Sequence, residues 1–194
     1  MNFPKQTRIP FLPQTSNNGE CDFDIYSRLL VKRVIFLRGV TEEIANSIVA
    51  QLLFLDAEDT ERDIFLYINS SGGSATAALT IYDTMAQIRA DISSVCIGST
   101  KGIGVLLLSS GTKGKRLALP NARIAIAQPL SNIQVKFSDI EVAAREVTRL
   151  KETVNSILAS NTSQSTEKIK LDTERDFYLS AEAAKDYGLI DNII

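Results

Sequence analysis

The chain has 194 residues, 44% of them hydrophobic and 23% charged, with a formal net charge of −2. Those proportions fit one globular domain with a substantial core, and the near-neutral balance gives no support for a nucleic-acid or polybasic membrane partner. Two cysteines, Cys21 and Cys96, make no disulfide framework, and there is no histidine at all, which removes the commonest general base and the commonest metal ligand together.

A reducing compartment and no metal site are therefore expected. No apolar run approaches the roughly 18–20 residues needed to span a bilayer, so no membrane partner is expected. Residues 1–18 carry Pro4, Pro10 and Pro13 and lack the continuous apolar core of a signal peptide. The predicted organisation is a flexible or docking arm over residues 1–20, then a single domain over residues 21–194.

Residues 24–30 suit a short helix before a strand at Val34, Ile35, Phe36 and Leu37, which Gly39 ends. Thr41 is a plausible N-cap, with Glu42 and Glu43 favourably placed in the first turn. Ile44, Ile48, Leu52 and Leu55 then recur at helical spacing. Residues 56–63 form a charged connection, and the apolar run 64–68 reads as a strand covered on both faces. Asn69-Ser70-Ser71-Gly72-Gly73-Ser74 predicts a tight strand-to-helix turn, because glycine permits close backbone approach. The next helix is expected to turn Ala75, Leu79, Tyr82 and Ala86 to one side.

The stretch from Cys96 to Val105 is the centre of the chain. A buried strand leads into Gly98, Ser99, Thr100, Lys101, Gly102, Ile103 and Gly104, and an apolar helix follows. Such a strand–turn–helix corner presents one residue sharply and is a common place for a nucleophile. Here the corner residue is Gly102, which carries no side chain. Cys96, in an apolar run, reads as a small core residue.

Lys113, Lys115 and Arg116 between Gly111 and residue 117 read as a solvated basic turn, with short strands around Pro120 and Asn121. Ser138-Asp139-Ile140-Glu141 has the pattern of a capping box and opens the longest helix. Its apolar stripe is Ile140, Ala143, Val147, Leu150, Val154 and Ile157, suited to a core or to a sister subunit. A short helix near residues 166–170, a charged segment 172–176 and a strand 177–179 follow. Ser180 can cap the last helix and Gly188 can end it. Strands alternate with helices throughout, which favours an α/β fold with crossover connections.

Four segments, in order, resemble the Clp protease proteolytic-subunit family (ClpP), a branch of the crotonase-like fold. They are Tyr67-Ile68-Asn69-Ser70-Ser71-Gly72-Gly73-Ser74, with serine where the family has proline; Gly114-Lys115-Arg116-Leu117-Ala118-Leu119-Pro120-Asn121-Ala122-Arg123-Ile124; Asp172-Thr173-Glu174-Arg175-Asp176-Phe177-Tyr178-Leu179-Ser180-Ala181; and Tyr187-Gly188-Leu189-Ile190-Asp191. Residues 24–30 add the family's opening helix, so the likeness covers nearly the whole chain. It implies repeated β-β-α units, a head domain and a protruding handle helix.

The family is a serine peptidase with a Ser–His–Asp triad: a hydroxyl, a base to take its proton, and a carboxylate to orient that base. By resemblance the serine slot falls on Gly102, the histidine slot on Ala127 before Gln128-Pro129-Leu130, and the aspartate slot on Asp176. The spacings between slots are those of the family, and only Asp176 is filled with a triad residue. Backbone amides of Gly73 and Ile103 take the oxyanion positions by resemblance. Members lacking the catalytic residues are of the ClpR type, and this chain resembles them. Glu174 and Arg175 match a pair at the contact between stacked rings. The helix from Ser138 matches the interdigitating handle, and Tyr67 matches part of the cleft that receives loops of an AAA+ unfoldase.

The implied partners are catalytic ClpP subunits in mixed rings, a Clp-type AAA+ unfoldase, and other copies of the chain. The implied cofactor set is empty, since the unfoldase and not this chain uses ATP. One departure is that the family's glycine-rich strand before the handle is here residues 131–137, ending in Phe137, which leaves peptide binding open. Alternatives remain open: a peptidase with a non-standard nucleophile and base, for which Ser99 and Lys101 are the nearest pair, and a crotonase-type acyl-CoA enzyme. A bacterial cytoplasm or a plastid stroma is the expected location.

Overall fold

The computed structural model describes residues 11–16, 19–128 and 139–194. β1 (Phe11–Ser16) and β2 (Gly19–Asp24) pair antiparallel, Phe11 opposite Asp24 and Ser16 opposite Gly19. Residues 11–16 and 19–20 are thus paired strand, where a loose arm was expected. Pairing satisfies the backbone donors and acceptors of both segments at once, which outweighs the prolines. Residues 1–10 lie outside the described residues.

α1 (Ile25–Val31) leads through Arg33 into β3 (Val34–Leu37). α2 (Glu42–Glu58) starts as expected, with Thr41 Oγ1 accepting from the Ile44 amide at 3.3 Å. It buries Ala45, Ile48, Leu52 and Leu55. Arg33 ties off its far end: the buried guanidinium donates to the carbonyls of Leu55 (2.9 Å), Asp59 (2.9 Å), Arg62 (3.0 Å) and Asp63 (3.1 Å). A cation on the last carbonyls of a helix satisfies acceptors that have no partner within it.

β4 (Ile64–Ser70) runs parallel to β3, and α3 (Ala75–Gln87) crosses over to β5 (Ile92–Lys101). β4 buries Ile64, Leu66 and Ile68, but Phe65 is 36% exposed and Tyr67 half-buried, so one face is open rather than both covered. On that face Tyr67 stacks on Phe36 at 5.4 Å, and Tyr26 meets Phe36 edge-on at 6.0 Å. α3 also departs from expectation, burying Ala75, Ala78, Ile81 and Met85 while Ala86 is exposed. Leu79 and Tyr82 of the expected face still pack against the core part-buried, so the buried face is turned from the expected one and not opposite to it.

β5 is the trunk of the molecule. Residues Ser94, Val95 and Cys96 pair parallel with β6 (Arg116–Ala118), while Ser99, Thr100 and Lys101 pair parallel with β7 (Arg123–Ile126). The change of partner coincides with a register shift against β4, between the pairs Ile68–Cys96 and Ser70–Thr100. Such bulges bend a strand and re-aim its end. Between β5 and β6 lies α4 (Ile103–Ser109), buried at every residue.

α5 (Ile140–Thr162) is the longest helix, followed by α6 (Thr166–Asp172), β8 (Phe177–Leu179), α7 (Ala181–Tyr187) and β9 (Asn192–Ile193). β8 is antiparallel to β7, and β9 closes the far edge of the sheet parallel to β6. Ser180 caps α7 and Gly188 ends it in the left-handed conformation, as the sequence predicts. α5 begins at Ile140, with Asp139 at the N-cap position; Ser138 lies outside the described residues. Its stripe is covered only from Val154 onward, and near its start Ile140 is 50% and Val142 61% exposed.

Arg116, expected in a solvated turn, is buried. It forms an ion pair with Asp191 (Nη2 to Oδ1 2.6 Å, Nε to Oδ2 2.9 Å), and its Nη1 donates to the carbonyls of Asn161 and Gly188, both at 2.9 Å. Burial opposes the charge on Asp191, yet the hydrogen bonds and charge of Arg116 hold its carboxyl below the ordinary value. Opening β6 turns the side chain of Arg116 inward, towards a carboxylate that local sequence cannot reveal. Lys115 does stay near the surface, bridging Asp63 (2.8 Å) and Asp91 (2.7 Å).

Candidate active-site corner

Three chain segments meet where β4, β5 and β7 end. The first is the turn after β4. Ser70 Oγ accepts from the Gly72 amide at 3.2 Å, and the turn is laced to Val40: the Val40 amide donates to Gly72 O at 3.1 Å and the Ser74 amide to Val40 O at 2.8 Å. Gly73 has φ 148°, and a Cβ there would stand 2.1 Å from the Val40 carbonyl oxygen. Only glycine fits. Ser74 then caps α3 by accepting from the Ala77 amide at 3.3 Å.

The second segment is the corner from β5 into α4. Gly102 adopts φ 57° and ψ −119°. Its amide donates to Ala125 O at 2.9 Å and its carbonyl accepts from Val105 at 3.0 Å. A Cβ at this position would meet nothing closer than Ala127 O at 3.9 Å and Gln128 O at 4.0 Å. The strain at Gly102 is therefore conformational, and the space for a side chain is present.

The third segment is the end of β7. Ala127 is buried and follows Ile126, which pairs with Phe177. A small cleft is lined by Ser71, Gly72, Gly73, Lys101, Gly102, Ile103, Ala127 and Gln128. Gly73, Gly102, Ile103 and Ala127, drawn from distant parts of the sequence, thus share one cleft. Asp176 lies just before β8, one residue beyond the Phe177–Ile126 pair.

Asp176 is not left idle. Lys101 Nζ donates to its Oδ2 at 2.5 Å, and the Tyr178 hydroxyl reaches the same oxygen at 3.4 Å. The hydrogen bond to Asp176 raises the Lys101 pKa above the ordinary lysine value, with burial opposing and the carboxylate charge adding to the rise. Strand register places Lys101 on the carboxylate. Lys101 is opposite Ala125, and Ala125 opposite Tyr178, so the three share one sheet face beside Asp176. Nothing local in the sequence signals a partner 75 residues away.

This pairing bears on the Ser99–Lys101 dyad. A lysine acting as a base must be neutral, which burial away from carboxylates favours. Lys101 sits against a carboxylate, which keeps it cationic. Cys96 is no nucleophile either: it is fully buried, and burial pushes its thiol pKa up to about 11. Among the described residues no cluster of histidine, cysteine or carboxylate side chains could hold a metal ion.

Of the other expected residues, Tyr67 lies on the open face of β4, and Glu174 and Arg175 are exposed between α6 and β8. Residues 131–137 lie outside the described residues.

A mostly parallel sheet with a strand-to-helix corner at its carboxyl ends, an antiparallel strand beside the cleft and a long C-terminal helix is a mixed α/β fold of the ClpP kind. Residues 17–194 match the Clp protease family, and the chain belongs to it.

Proposed function

We propose that this chain is a non-catalytic, ClpR-type subunit of a Clp protease core. The observation that carries the reading is the corner itself: Gly102 and Ala127 stand together in the cleft, and neither position supplies a hydroxyl to attack a carbonyl or an imidazole to take its proton. Loss of triad members lowers turnover by about 10⁴–10⁶ while leaving the backbone donors in place. In this reading the amides of Gly73 and Ile103 are a vestigial oxyanion hole.

The scaffold then serves assembly. Catalytic ClpP-type subunits complete the rings, and the start of α5, with its uncovered stripe, and Glu174 and Arg175 meet the facing ring. The open aromatic face of β4, with Phe65 and Tyr67, receives an AAA+ unfoldase, which supplies all ATP hydrolysis. This chain needs no cofactor.

The test is to purify the chain free of any catalytic partner, treat it with a fluorophosphonate, and assay it on a small fluorogenic peptide. No labelled serine and no turnover above background are expected. Stoichiometric labelling of one serine would overturn the proposal.

A further inference from the structure

We infer that Lys101 has taken the place of the missing histidine as the partner of Asp176, and that it is a positioning residue which keeps this carboxylate out of any catalytic relay. The inference rests on the non-catalytic reading of Gly102 and Ala127 and goes a step beyond it: the vacated site carries a contact that works against a restored triad.

The geometry is built by strand register. Ile126 pairs with Phe177, so continuing that ladder by one step sets residue 127 across from Asp176. An imidazole on residue 127 would need an oxygen of Asp176 to accept its ring N–H. Lys101 Nζ already holds Oδ2 at 2.5 Å, with the Tyr178 hydroxyl on the same atom. The groups facing Asp176 are the Lys101 ammonium from β5 and the Tyr178 hydroxyl from β8, and the Arg123 guanidinium from β7 lies 5.8 Å over the Tyr178 ring. Lys101 is the cation in direct contact with this carboxylate.

A histidine introduced there would meet a carboxylate whose charge is already matched, next to an ammonium. A neighbouring like charge disfavours protonation, whereas a free carboxylate favours it. The imidazolium that must form during acyl transfer would lose the stabilisation that the triad's aspartate provides. The ion pair contributes little to folding, because both side chains are partly exposed, 36% for Lys101 and 42% for Asp176. Lys101 can therefore be neutralised without unfolding the chain.

The absence of histidine from the sequence makes the test clean. Ala127→His in tag-free protein introduces one imidazole, whose titration can be followed by NMR with labelled histidine. The variants are Ala127→His alone, Ala127→His with Lys101→Met, and the latter with Asp176→Asn. The expected result is an imidazole pKa about one unit higher once Lys101 is neutralised, and loss of that rise when Asp176 is also changed. An imidazole pKa that does not respond to Lys101→Met overturns the inference. This readout needs no activity, so it holds whether or not the peptide groove is competent. It is also separate from the fluorophosphonate result on the unaltered chain, which tests the non-catalytic reading alone.

In a Gly102→Ser, Ala127→His background, adding Lys101→Met is expected to raise kcat/KM on the order of 100-fold, with the pH profile following the shifted imidazole. A triple variant whose rate equals that of the double variant, in a background that does hydrolyse peptide, also overturns the inference.

Discussion

Gly73 and Gly102 both have positive φ, yet they are glycine for different reasons. At Gly73 a side chain would strike the Val40 backbone, which is itself fixed by hydrogen bonds to Gly72 and Ser74. At Gly102 the space is open and only the dihedral angles are unfavourable. Backbone strain of that kind costs on the order of 1–3 kcal/mol. Gly102→Ala is therefore expected to lower stability by about 1–2 kcal/mol, and Gly73→Ala by at least about 3 kcal/mol, since backbone must move. Urea denaturation of the two variants checks the order; equal losses would contradict it. The glycines themselves were legible in the sequence as turns. Which one could regain a side chain was not, because that depends on the chain segment facing it.

Among the elements, α5 separates what is local from what is shared. Its helical period and apolar stripe are plain in the sequence, and the helix forms over Ile140–Thr162. From Val154 onward the stripe lies in the core of the chain, whereas Ile140 and Val142 face outward. Isolated chains do not gain from apolar residues held that exposed; a facing subunit would. Ile140→Glu with Val142→Glu is expected to leave the thermal transition of the subunit within about 0.5 kcal/mol of the parent. The same change is expected to shift native mass spectra from stacked rings towards single rings or smaller species. Intact stacked rings in the double variant would remove α5 from the proposed contact. β4 and α3 carry the complementary lesson. Their type is correctly read from the sequence, but which face is covered is not. An apolar run or an alanine-rich helix fits more than one orientation, and the packing partner chooses.

At the scale of the whole molecule, Arg116 and Asp191 form the joint that closes the sheet. Arg116 holds the carboxylate that follows α7 and the carbonyls of Asn161 at the end of α5 and Gly188 at the end of α7. Asp191 in turn accepts from the Gly114 amide at 2.7 Å and the Arg116 amide at 3.0 Å. Because the folded pKa of Asp191 lies below its unfolded value, the stability it contributes is present above the unfolded pKa. That stability is lost as pH falls through the folded pKa. Asp191→Asn is expected to cost about 3 kcal/mol at neutral pH, since it strands a buried guanidinium. The gap between variant and parent should narrow as pH drops below about 4. A gap independent of pH in urea titrations would show that the carboxylate charge is not what the joint uses.

Periodicity and turn chemistry alone determined the alternation of strands and helices, the caps at Thr41 and Ser180, and the corner at Gly102. These are contacts between residues three or four apart, or conformations that one residue type permits. The glycine at 102 and the alanine at 127, set in motifs at a regular spacing, are plain in the sequence as well. Tertiary structure alone decided the partners of the charges. Arg116 reads as a turn residue and nothing local marks a partner for Arg33 or Lys101, yet each is committed to groups distant in sequence. Electrostatic partners are set by which strands lie side by side, and β5 changes neighbours halfway along its length. That change brings Lys101 to Asp176, a contact no local pattern announces.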